Sequence, residues 1–465
     1  MLIHSPYHTK FVDTMKHKEH QTNKVLVSYT RKVKKIDPVG FFQMNRSVYT
    51  GERFFWQSPD DPMTIVGIGL LRTFLNHRAD DRFSQIEKEW RELLSRAVID
   101  NPTRTEGTGP LLFGGFSFDP YSVKEEMWQP FGDTLFYLPE YMLTILNEDC
   151  YITVNQFENS EMSRSSNQIK KMFDLFLKNA DSYDVQAPSI SSKEELSVPE
   201  WLTSVSTVIN KLKTTDTVDK VVLARKLKLG FSQPVLTDYV LKELRVQQKN
   251  SFIFLLETAD GGFIGASPER LVQKKDDLVL STSLAGSIGR HVEPEEDKKL
   301  GDWLLKDEKN RYEHALVVQM IRRALQPYCK ELHIPEEPIL LKTPYIQHLY
   351  TPVSGTARPE TSIFHLVGEL HPTPALGGVP TREAMKMIRD QEKMDRGFYA
   401  APVGWTDYRG NGEFIVAIRS GLIKNQEAFL YAGCGLVADS DPEEELKETG
   451  IKFQPMLKAM GGSFE

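Results

Sequence analysis

The chain has 465 residues, with 57 Lys plus Arg against 64 Asp plus Glu, a formal net charge of −7, 26% charged and 40% hydrophobic residues. These are ordinary globular values, and they exclude a disordered chain, a collagen-like chain and a coiled-coil rod. At about 150 residues per domain the length predicts roughly three domains or one large intertwined one. No apolar run is long enough for a membrane span, and the opening MLIHSPYHTK lacks the apolar stretch of a signal peptide. Cys150, Cys329 and Cys434 lie too far apart for a disulfide framework or a CxxC metal site. A soluble protein of a reducing cytoplasm is expected, with no membrane partner. Without a basic stripe no nucleic-acid partner is expected either, while a small anionic substrate, which responds to local charge, stays open.

In chain order, residues 22–157 mix short apolar runs with turn residues. They include a strand at 63–71, a helix at about 80–98 and strand-like Phe113, Gly115, Phe116 and Phe118 around a Gly-Gly pair. The helix carries Phe83, Ile86, Trp90, Leu93, Leu94 and Ala97 at the 3.6 period. A second helix is predicted at about 166–179. Residues 181–197, rich in Ser, Pro, Asp and Glu, read as a surface linker. The division falls there, between an N-terminal α+β region, 1–197, and a second part, 198–465, that is denser in signals. Within the latter, 220–231 reads as a strand, 251–256 and 262–266 as a hairpin about Asp260-Gly261, and 278–284 as another strand. Helices are predicted at about 302–327 and at 381–393. Strands at 414–424 and 428–437 are joined by Asn425-Gln426, and a last helix starts near Ser440-Asp441-Pro442. Long antiparallel strands with interspersed helices predict an α+β fold, with layered antiparallel β-sheets flanked by helices, and not a βαβ array.

Candidate residues follow from these placements. In the last helix Ser440 or Asp441 caps, Pro442 suits the first turn, and the acidic residues at 443–445 favour the positive end of the dipole. Leu446, Phe453, Leu457 and Met460 form its apolar stripe. Glu445, Glu448 and Lys452 lie together beside that stripe, either as a solvated face of ion pairs or as a site. Glu313 sits on the stripe of Leu316, Val317 and Met320, where a carboxylate needs a partner or a cation. Glu313 and Glu448, on separate helices, could hold a hard divalent ion such as Mg²⁺ with substrate oxygens completing the shell. A core glutamate bonded to an arginine is the plainer alternative. Arg419, on a strand face with Ile415 and Ala417, is a candidate carboxylate clamp or a structural pair. Lys220 at a strand start reads as edge protection, and periodicity attaches nothing to Glu269 at a strand end. The GxGxxA pattern at 433–438 is followed by too few residues for a dinucleotide unit, though its N–H groups could face an anion. His17 and His20 read as a solvated tail, and Cys434 as a packed thiol.

Seven segments stand in an order that resembles the chorismate-utilising enzymes, the family of anthranilate, aminodeoxychorismate, salicylate and isochorismate synthases. They are KVVLAR (220–225), ASPER (266–270), LAGS (284–287), DEKNRYEH (307–314), HPTPALGG (371–378), EFIVAIR (413–419) and AGCGLVADSDP (432–442). The resemblance covers residues 198–465, and GGFSFD (114–119) is similar to the longer isochorismate synthases. Lysine at 220, Ala375 where anthranilate and salicylate members tend to carry Thr, and no fused glutamine amidotransferase domain favour an isochorismate synthase. Ser287 stands where many members have Thr and keeps the hydroxyl.

The resemblance implies an anthranilate-synthase component I-like fold and a Mg²⁺-dependent, reversible isomerisation of chorismate to isochorismate, with no amidotransferase subunit. Menaquinone synthesis is the expected pathway. By resemblance Lys220 is the base that activates water, and Glu269 is the acid that protonates the departing C4 hydroxyl. Glu313 and Glu448, with Glu445 directly or through water, hold the metal on the ring carboxylate. Arg419, Lys452 and the backbone at Gly433 take the other carboxylate, while Gly286, Ser287, His348, Ala375 and Tyr399 line the substrate. Ordinary values near 10.4 for lysine and 4.3 for glutamate suit neither role at neutral pH, so the site must lower one and raise the other. Salicylate synthase, a siderophore-pathway isochorismate synthase and an inactive anion-binding homologue are the competing expectations.

Overall fold

The computed structural model describes residues 24–43, 46–59, 63–159, 186–343 and 346–462. The helix expected at 166–179 and the pair His17 and His20 lie outside them. The described strands form two antiparallel layers joined through one shared strand. The first runs through neighbours Lys24–Val33, Asp149–Asn159, Thr134–Leu146, Met63–Asn76, Arg53–Gln57, Phe252–Thr258, Gly261–Ser267, Ser420–Lys424, Glu427–Leu436 and Lys220–Phe231. The second leaves the Thr134 end of the shared strand and continues through Leu111–Phe116, Pro402–Asp407, Gly412–Val416, Arg270–Lys275, Leu278–Gly289 and Ile346–Ala357. Among the described pairings only that of Val98–Asp100 with Lys24–Val33 is parallel.

Burial on both faces explains the apolar strand sequences. In Phe252–Thr258 every residue is buried. Phe252, Phe254 and Leu256 face the core between the layers, whereas Ile253 and Leu255 face a second core on the opposite side. The inter-layer core is aromatic: Phe54 stacks on Phe113 at 4.5 Å, and Phe263 meets Trp128 at 5.3 Å. In the outer core, Val240, Leu241 and Leu244 from Thr237–Gln247 and Phe453, Met456 and Leu457 from Pro442–Ala459 cover Leu227, Leu229, Ile264 and Leu430.

The position of residue 197 lies between the strand Ile190–Glu195 and the helix Val198–Thr214. Strands from before and after it pair: Arg53–Gln57 with Phe252–Thr258, and Leu111–Phe116 with Pro402–Asp407.

Three expected elements differ. Residues 190–195, within the expected linker, form a strand against 227–231; its Ser, Lys and Glu residues suit an outermost strand with one face in water. The helix expected at 302–327 is two, Pro294–Leu304 and Glu308–Leu325, separated where Asp307 turns extended. The strand expected at 414–424 breaks between Val416 and Ser420, with Arg419 at φ 51° in the left-handed region. Gly412–Val416 belongs to the second layer and Ser420–Lys424 to the first, so the chain changes layer there. Ser267–Arg270 makes the same crossing alongside. Ser267 Oγ donates to the Val416 carbonyl at 2.6 Å, Ala266 N donates to the Arg419 carbonyl at 3.0 Å, and Val416 N to the Glu269 carbonyl at 3.1 Å. Twin crossings splay the layers apart at one point, and the site opens there.

Candidate active site

At the crossings a cavity of about 250 Å³ is lined by Lys220, Glu269, Gly286, Ser287, Glu313, His348, Ala375, Tyr399, Arg419, Gly433, Glu445, Glu448 and Lys452. Every residue that the motifs singled out is thus in one chamber. Lys220 is not at a sheet edge: its strand pairs on one side with Glu427–Leu436, while Lys220 itself lies opposite Val379. Alternation places 220, 222 and 224 on the cavity face, opposite Gly433 and Gly435. Lys220 is 8% exposed, and its Nζ stands 3.4 Å from Glu313 Oε2.

Glu269 occupies one crossing and is 5% exposed. Burial pushes its carboxyl up to about 8, against the pull of the Lys220, Lys452 and Arg419 charges, so it keeps its proton at neutral pH. Arg419 occupies the other crossing. Burial lowers its pKa, opposed by Tyr399, Glu448 and Glu269. The expected setting of Arg419, a regular strand beside Ile415 and Ala417, is replaced by this kink, which presents the guanidinium at the cavity.

The Leu278–Gly289 strand contributes through a bulge. Its register against Ile346–Ala357 shifts between Leu284 and Ser287, with Gly286 at φ 80°. Ser287 Oγ lies 2.9 Å from His348 Nδ1. Burial first, then the charges of Arg419 and Lys452, brings His348 down to about 3, so the ring is neutral. Its Nε2 is buried without a protein partner.

The last helix carries the expected cap: Asp441 Oδ1 accepts from Glu443 N and Glu444 N, both at 3.0 Å. Three turns beyond the cap, Lys452 Nζ donates to the Gly433 carbonyl at 2.9 Å and to Glu448 Oε1 at 2.5 Å. The Lys452 charge holds Glu448 below the usual carboxylate range, whereas burial and the neighbouring Glu448 raise Glu445. Among the described residues no three His, Cys, Asp or Glu side chains converge closely enough to enclose an ion. Glu313, Glu445 and Glu448 still share the cavity and offer only oxygen donors, and Glu445 and Glu448 place like charges side by side. That donor chemistry fits a hard cation whose shell a ligand completes.

The sequence reading missed Lys309, Asn310 and Gly435 on the cavity wall. Two of them were within reach: Asn310 is one turn before Glu313 on the same helix face, and Gly435 shares a strand face with Gly433. Asn310 Oδ1 accepts from Ser287 N at 3.3 Å. Behind the bulge the buried His314 ring meets the Ala285 carbonyl at 3.0 Å through Nδ1 and Thr351 Oγ1 at 2.7 Å through Nε2.

A protonated buried carboxyl and an amine on one cavity, ringed by further cations, define an acid–base cleft for a small anion in a two-layer antiparallel scaffold. Residues 11–461 match the family described as chorismate binding enzyme, and the chain belongs to that family. It is 42% identical over 452 residues to isochorismate synthase MenF of Bacillus subtilis (strain 168), covering 96% of each chain. Its fold matches MenF, the menaquinone-specific isochorismate synthase from Escherichia coli, with a TM-score of 0.78 at 22% identity, covering 98% of this chain and 100% of that one. It also matches anthranilate synthase component I from Streptococcus pneumoniae TIGR4, with a TM-score of 0.66 at 21% identity, covering 88% and 90%. The expected α+β fold, with layered antiparallel sheets flanked by helices, is the observed one.

Proposed function

We propose that this protein is an isochorismate synthase, an isomerase that interconverts chorismate and isochorismate. The observation that carries the reading is the protonated, buried Glu269 sharing a cavity with the Lys220 amine. Lys220 Nζ takes a proton from water as the water oxygen bonds to C2. The ring double bond shifts, the C4–O bond breaks, and Glu269 gives its proton to the departing hydroxyl. Arg419 and Lys452, with the backbone at Gly433, face the enolpyruvyl carboxylate. Without such partners a carboxylate in a buried pocket would be costly. Neutral His348, braced by Ser287, offers its open Nε2 to the substrate. Ala375 and Tyr399 shape the remaining wall, with Gly286 at the bulge. Glu313 and Glu448, with Glu445, would hold Mg²⁺, which supplies positive charge to the ring carboxylate.

All cavity-lining residues lie at or beyond Lys220, so we read 198–465 as the catalytic part and 1–197 as the region that completes its layers. Full-length similarity to a MenF supports menaquinone synthesis as the pathway, without an amidotransferase subunit. Buried, unpaired Cys150, Cys329 and Cys434 suit a reducing cytoplasm. Among the described residues no helix is long and apolar enough to cross a membrane. The test is incubation with chorismate and Mg²⁺ followed by chromatography. Isochorismate alone is expected; salicylate with pyruvate, or unchanged chorismate, overturns the reading.

A further inference from the structure

Gly435 is the point where the geometry says more than the reaction scheme requires. It lies inside the Glu427–Leu436 strand, opposite Val222, on the face that meets the cavity. Its backbone is not left-handed, unlike that of Gly286. The strand therefore has no conformational need for glycine at 435, and glycine weakens a strand interior.

The need comes from a neighbouring side chain. A Cβ on Gly435 would stand 2.5 Å from Lys220 Cε and 3.0 Å from Lys220 Nζ. Carbon atoms in ordinary contact sit about 3.5–4.0 Å apart, so a methyl there must displace the end of the lysine by about 1 Å. No backbone atom stands in its way at such a distance; the obstacle is the flexible end of one side chain. On its other side the amine meets Glu313 Oε2 at 3.4 Å. Lys220 is thus held between a carboxylate and a bare stretch of strand. Gly433 leaves room in a milder way, where a Cβ would approach the Tyr399 hydroxyl at 3.3 Å.

We propose that Gly435 is a positioning residue: its missing side chain sets where the Lys220 amine stands. The proposal rests on the reading of Lys220 as the base and deepens it. Chorismate binding does not depend on this contact, whereas proton removal from water does.

The test compares Gly435→Ala in the wild-type and Lys220→Ala backgrounds. In the wild type the variant is expected to keep KM for chorismate within about threefold while kcat falls roughly 100-fold, the usual cost of misplacing a reacting group by about 1 Å. In the Lys220→Ala background it is expected to change nothing further. A kcat within about twofold of wild type, or an equal loss in both backgrounds, overturns the proposal. If Gly435→Ala melts early, adding Lys220→Ala removes the clash and restores the melting temperature; a double variant that melts as low as the single one overturns it. Should Lys220→Ala alone turn over normally, the base reading falls by itself. The positioning claim is then decided by the crystal structure of Gly435→Ala, where an amine displaced from Glu313 supports it and an unmoved one overturns it.

Discussion

At the scale of single residues the two halves of the proton chemistry separate experimentally. Lys220→Ala removes an amine that holds up no strand pairing, so the protein is expected to fold and to lose about 10²–10⁴-fold in kcat, the usual worth of a general base. Circular dichroism with an isochorismate assay checks both parts. Glu269 makes a sharper prediction because its proton links activity to stability. Its carboxyl moves from an ordinary 4.5 to about 8 on folding. Between those values the folded protein binds a proton that the unfolded chain has released, so stability falls as pH rises, and above about 8 the loss is complete. A shift of that size corresponds to about 5 kcal/mol at most. Glu269→Gln carries no such proton. The variant is expected to be inactive yet, relative to wild type, increasingly stable from pH 5 to 9, as read from melting temperatures across that range. Parallel curves would remove the assignment of a raised Glu269. In the wild-type enzyme activity is expected to decline above pH about 8 as the acid loses its proton.

At the scale of elements, the crossings at the site depend on the layers that carry them. One buried cluster ties two neighbouring strands of the first layer to the helix on its outer face. Arg53, 1% exposed, donates to Glu257 Oε1 and Oε2, both at 2.8 Å, and to the Asp238 carboxylate at 3.3 Å. Thr237 Oγ1 and Gly51 N also donate to Glu257, at 2.5 and 3.1 Å. Burial opposes the charge on Arg53, and the two carboxylates more than offset it. The cluster joins the Arg53–Gln57 strand, the Phe252–Thr258 strand and the Thr237–Gln247 helix. Arg53→Ala strands two buried carboxylates and is expected to cost about 3–5 kcal/mol in urea unfolding, with chorismate affinity unchanged in the folded fraction. The break between the Pro294–Leu304 and Glu308–Leu325 helices acts at the same scale. It restarts the second helix at Glu308, with Asn310 and Glu313 on the cavity and His314 behind the bulge.

At the scale of the whole molecule, the cavity is a balance of opposite charges. Lys309, Arg419 and Lys452 line it together with Glu313, Glu445 and Glu448. The carboxylates gather on two helices that reach the site from different parts of the chain. EDTA is therefore expected to abolish isochorismate formation and Mg²⁺ to restore it. Millimolar Mg²⁺ is also expected to raise the melting temperature, by mass action on a site that only the folded chain assembles. Full activity after exhaustive chelation, with no thermal shift on adding the ion, would remove the glutamate site.

Much of this was legible in the order of residues alone. Period-2 strands, the Asp441 cap and the seven ordered motifs identified an α+β antiparallel architecture and the residues that line one chamber. Local signals carry that far because caps, turns and alternation act over a few residues. They could not show that Glu269 and Arg419 sit on twin crossings between layers, since a crossing exists only when distant strands choose different neighbours. Nor could they show that Glu269 keeps a proton, which depends on burial by segments from across the chain, or that Gly435 is bare for the sake of Lys220, more than 200 positions away. Composition and short-range pattern determined the kind of fold, and the resemblance of the ordered motifs supplied the cast of side chains. Packing alone decided their distances and charge states, because both arise from atoms that only the folded chain brings into contact.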